Sequence, residues 1–88
     1  MTANNIFFML NEILVKAHKD NAHETTSYVL SEINKLNPNL KVYIVATPTD
    51  EIRCKSREMA IKLWESSNSF TELYTINPLG EVHTLKKR

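Results

Sequence analysis

The chain is poor in the residues that build special-purpose sites. Among 88 residues it has one glycine, one cysteine, three prolines and one tryptophan. A single glycine excludes a glycine-rich phosphate loop, which needs repeated close approach of the backbone to the ligand. The lone Cys54 excludes an internal disulfide and a cysteine-built zinc site. It reads as a reduced thiol, and with it comes the expectation of a cytoplasmic protein. A net charge of +1 excludes both the strongly basic polyanion binder and the acidic nucleic-acid mimic. No apolar run nears the roughly 20 residues of a membrane span, so no membrane partner is expected. The run from Ile6 to Leu10 stops at Asn11-Glu12 and lacks the flanks of a signal peptide.

What is present is a balance suited to folding. Hydrophobic residues at 42% and charged ones at 24% argue against disorder. The length bounds the chain to a single domain, 1–88, that buries roughly 60–65% of its unfolded surface. Abundant Asn, Lys and Ile fit AT-rich coding sequence of the kind found in bacteria and phages.

The one glycine is well placed. Gly80 closes Asn77-Pro78-Leu79-Gly80, between the apolar segments Phe70–Ile76 and Glu81–Leu85. Proline pre-sets φ at the second turn position, and glycine tolerates the positive φ that follows a type I turn. This predicts a C-terminal β-hairpin, trailed by the charged tail Lys86-Lys87-Arg88.

Upstream the pattern turns helical. At about 100° per residue, Ile6, Phe7, Leu10, Ile13, Leu14 and Ala17 share one face of a helix over Ala3–Lys19. Phe8 and Val15 fall on another face and are surplus to a single burial. Asn21 and Glu24 fit a capping box for a second helix, which reaches Leu36 with Tyr28, Val29, Ile33 and Leu36 as its apolar side. Asn37-Pro38 ends it. Leu40–Ala46 is β-branched, aromatic and nearly continuous in apolar residues, which predicts a central strand. Thr47, Pro48, Asp50 and Glu51 suit a helix start, so a third helix is expected over Pro48–Ser66 with Ile52, Met59, Ala60 and Leu63 inward. The fold expected is α+β, a small ααβαββ domain. Its three-stranded mixed sheet includes a parallel crossover, with helices packed on it.

The chemistry-bearing residues are scattered. His18 and His23 flank Asp20, with Glu24 nearby, but the spacing matches no metal motif, so no metal ligand is expected. His83 reads as a solvent-facing strand residue. Cys54, between Arg53 and Lys55 at the start of the expected third helix, sits where a helix dipole lowers a thiol pKa. As a small semi-buried residue it needs no such role. No pair of carboxylates stands out for acid–base work, so neither a catalytic residue nor a cofactor is assigned.

Arg53, Arg57 and Trp64 would share one flank of the third helix. Arginine and tryptophan are frequent binding hot spots, so these three are the candidate partner-binding residues. Phe8 and Val15, together with an open sheet edge, are the candidate oligomer interface. The function expected is a small non-enzymatic regulator or inhibitor that binds a protein partner, of a kind a phage could encode, and that forms a homo-oligomer. The alternatives are an RNA- or DNA-binding regulator using the same arginines, Trp64 and the tail, and a small nuclease or other hydrolase.

Overall fold

The computed structural model describes residues 2–67 and 70–87. The elements run α1 (Ala3–Lys19), α2 (His23–Ile33), β1 (Val42–Ala46), β2 (Glu51–Cys54), α3 (Arg57–Glu65), β3 (Glu72–Ile76) and β4 (Val82–Lys87). The strands form one antiparallel sheet in the order β2-β1-β3-β4. The α+β class holds. The sheet has four strands rather than the three expected, and its neighbours are antiparallel rather than mixed.

The extra strand comes from the segment expected to open the third helix. Thr47 Oγ1 accepts the Thr49 and Asp50 N–H groups at 3.4 and 3.0 Å, and the Thr47 N–H donates to the Asp50 carbonyl at 2.8 Å. These bonds close a tight turn instead of capping a helix. Glu51–Cys54 then returns beside β1, from Ala46↔Glu51 to Tyr43↔Cys54. The helix starts later, behind Ser56, whose hydroxyl accepts the Met59 N–H at 3.2 Å. Helix α3 therefore links β2 to β3, which run in the same direction on either side of β1. The crossover exists, displaced by one strand from the expected place.

Asn21 also changes role. It adopts φ +55°, its N–H donates to the His18 carbonyl at 3.2 Å, and the Ala22 N–H donates to the Ala17 carbonyl at 2.9 Å. That is a left-handed cap closing α1. The expected capping box of α2 is absent, because its cap residue is Ala22, with no side-chain bond. Helix α2 ends at Ile33, short of Leu36. At the N-terminus of α1, Thr2 Oγ1 accepts the Asn5 N–H at 3.2 Å.

The C-terminal hairpin forms as expected. Gly80, at φ +81°, donates its N–H to the Asn77 carbonyl at 2.9 Å, while Asn77 Oδ1 accepts the Leu79 and Glu81 N–H groups. Strand β3 begins at Glu72, because Phe70 lies in a turn with φ +66°. Strand β4 runs on through Lys86 and Lys87, which are therefore not a tail. Arg88 lies outside the described residues.

The sheet is covered on both faces. Alternation along β1 sends Val42 and Ile44 to one side, where they pack with Phe7, Val29 and Ile33 of the α1–α2 hairpin. Val45 faces the other side and packs with Cys54, Ala60 and Leu73 beneath α3. The central position expected for β1 is what this two-sided burial produces. The inward face of α3 centres on Ala60 and Trp64, so Met59 is exposed and Ile61 packs on the core. Helix α1 buries Phe7, Asn11 and Ala17, and leaves Ile6 and Ile13 outside.

Candidate interaction surfaces

Arg53, Arg57 and Trp64 do not share a helix flank. Arg53 belongs to β2 and points to the α1 face, where its Nε donates to Oδ1 of buried Asn11 at 2.9 Å. Its Nη2 also lies 3.4 Å from Glu51 Oε2. Beside them, burial first and then the negative charge of the Glu51 carboxylate push the Tyr74 pKa up, against the opposing charge of Arg53. Trp64 lies on the opposite side of the sheet. Its ring packs on the second core cluster and its Nε1 donates to the Thr71 carbonyl at 3.1 Å. The Lys86 ammonium sits 5.1 Å from the ring centroid. A bulge opposite Leu73/Tyr74 aligns Lys86 for this contact and lets Leu85 pack on the same face. Arg57 is exposed at the first turn of α3.

Phe8 and Val15 are both half-buried. Phe8 packs against the first core cluster, with the Lys55 ammonium 5.5 Å from its ring centroid. Val15 lines a shallow apolar groove between α1 and α2 with Leu14, His18 and Leu30. Cys54 is in a strand rather than a helix start, and burial pushes its thiol pKa up, away from a reactive thiolate. Among the described residues, no three of His, Cys, Asp and Glu gather closely enough to hold a metal ion. No helix among them is long and apolar enough to cross a membrane.

Two other surfaces concentrate exposed apolar side chains. On α1, Ile6, Met9 and Ile13 follow one another at three- and four-residue spacing with 39, 47 and 44% of their surface exposed. The second surface lies along β2. Ile52 and Met59 are 42 and 59% exposed and share a groove with Cys54 and Leu63. This groove flanks a sheet edge. The chain matches no family model, no curated protein and no solved structure.

Both surfaces left traces in the sequence. Ile6, Met9 and Ile13 belong to an apolar arc on α1 too wide for one contact. The signal at β2 is the alternation Glu51-Ile52-Arg53, charged-apolar-charged with period two, which marks a half-exposed strand rather than a helix turn.

Proposed function

We propose that this protein is a small interaction module, a regulator or inhibitor that acts by docking on a protein partner rather than by catalysis. The observation that carries the reading is the stripe Ile6-Met9-Ile13 on the outer side of α1. Single exposed apolar residues are ordinary, but a contiguous row rewards burial against another surface. Row spacing of this kind is how a helix presents anchors to an apolar groove. The stripe stands on a helix held to the sheet by Asn4. Its Oδ1 accepts the Lys41 N–H at 3.2 Å and its Nδ2 donates to the Lys55 carbonyl at 3.4 Å. A preformed helix loses little conformational freedom on docking.

A nucleic-acid role draws less support, because several basic groups are already engaged. Arg53 is held by Asn11 and Glu51, Lys86 lies over Trp64, and Lys87 Nζ lies 3.6 Å from Glu72 Oε1.

The test compares the wild-type chain with Met9→Lys as baits in cell lysate, with and without nuclease. Met9 is exposed, so the variant should fold normally. A protein captured by the wild type, lost with Met9→Lys and indifferent to nuclease supports the reading. Capture that nuclease abolishes, or that Met9→Lys leaves intact, overturns it.

A further inference from the structure

Strand β2 is an edge whose pattern matches itself. The Thr47 N–H bond to the Asp50 carbonyl makes these two residues a hydrogen-bonded pair of the β1–β2 ladder. Such pairs alternate, so Ile52 and Cys54 also turn their backbone groups toward β1, while Glu51 and Arg53 turn theirs outward. The next outward carbonyl, that of Lys55, is occupied by Asn4 Nδ2. The open row is therefore short: the N–H and C=O of Glu51 and of Arg53.

We infer that two copies of this chain pair through β2, antiparallel, about a two-fold axis at Ile52. An antiparallel ladder must match outward groups with outward groups, which leaves few registers. Centring on Glu51 sets that carboxylate against its own copy, and centring on Arg53 sets guanidinium against guanidinium. Like charges directly opposite destabilise a pair. Centring on Ile52 sets Glu51 of each copy against Arg53 of the other and uses every open backbone group. It also brings the two Ile52 side chains together at a non-hydrogen-bonded position, where side chains approach closest. Both lie on the α3 side, beside the exposed Met59 of each copy. The result is one continuous sheet across both copies. The axis stands perpendicular to that sheet, so the two α1 stripes lie on the same side. Dimerisation itself does not depend on the stripe's having a partner.

The test places charge on the axis. Wild-type protein should sediment at equilibrium with twice the monomer mass. Ile52→Lys and Ile52→Glu should each be monomeric at concentrations at least tenfold above the wild-type dissociation constant, because each opposes its own charge. An equimolar mixture of the two should regain the dimer mass, since the paired residues then attract. A wild type that stays monomeric at several hundred micromolar overturns the inference. So does a dimer that persists in both variants. If Val15→Lys alone gives the monomer, the α1–α2 groove is the interface and the edge is not. Circular dichroism checks folding. Should an Ile52 variant unfold, Glu51→Lys takes its place, and a dimer unweakened by that change overturns the inference equally.

Discussion

Strands β2 and β4 each leave a row of backbone groups unpaired within the sheet, yet their side chains treat the exposure differently. Strand β4 carries Lys86 and Lys87, and its bulge breaks the regularity a new strand would need. Positive charge and bulges are common defences against edge-to-edge association. Strand β2 has no bulge, and its one positive charge, Arg53, is matched by Glu51 on the same strand. Its flanking turn and the Asn4 bond to Lys55 shorten it, and the remaining Glu-Ile-Arg segment complements its own antiparallel copy. The contrast separates an edge that discourages pairing from one that leaves it open. The interior strands supply the reference, since β1 buries residues on both faces and β3 buries Leu73 and Thr75 on one.

The largest expected effect contrasts an interior strand with an edge. Leu73 of β3 is fully buried, so Leu73→Ala should destabilise the fold by about 2–5 kcal/mol in urea denaturation. Val82→Ala on β4 is an exposed change and should stay within about 0.5 kcal/mol. A Val82 effect as large as that of Leu73 would mean the β4 edge is covered rather than open.

A smaller effect is expected at the turn that sets the β4 edge. Gly80 has φ +81°, and no atom stands within 4 Å of where a Cβ would be. Gly80→Ala therefore meets backbone strain without a clash, and should lose roughly 1 kcal/mol. The same denaturation curves measure it, and no loss would mean the hairpin readily adopts another turn.

The smallest effect sharpens the one place where the β2 edge behaves as interior. Cys54 is buried and its pKa is raised by that burial. The folded state thus holds the thiol proton more tightly than the unfolded chain does. Its contribution is complete below the unfolded thiol value of about 8.5, and is lost as pH rises from there through the folded value. The melting temperature should fall more steeply above this point for the wild type than for Cys54→Ala. Tyr74, whose pKa is raised in the same sense, should leave a residual slope at still higher pH. Identical curves for the two proteins would show that Cys54 is open to water.

Local rules made much of this protein legible. The extent of α1 follows from its apolar period, and the β3–β4 turn follows from Asn77, Pro78 and Gly80, because each depends on residues close in the chain. The central place of β1 follows from its continuous apolar run. What tertiary structure decided is the use of residues that suit two roles. Asp50 and Glu51 fit a helix start as well as an edge strand, and the ladder to β1 selects the strand. Asn21 can cap the helix after it or end the helix before it, and the left-handed turn selects the latter. Arg53 and Trp64 sit at spacings that would share a helix flank. Once residues 51–54 become strand, period two replaces period 3.6 and the pair falls on opposite faces of the sheet. The α1 stripe and the β2 edge emerge the same way: sequence supplies the apolar and charged residues, and packing decides which of them stay outside.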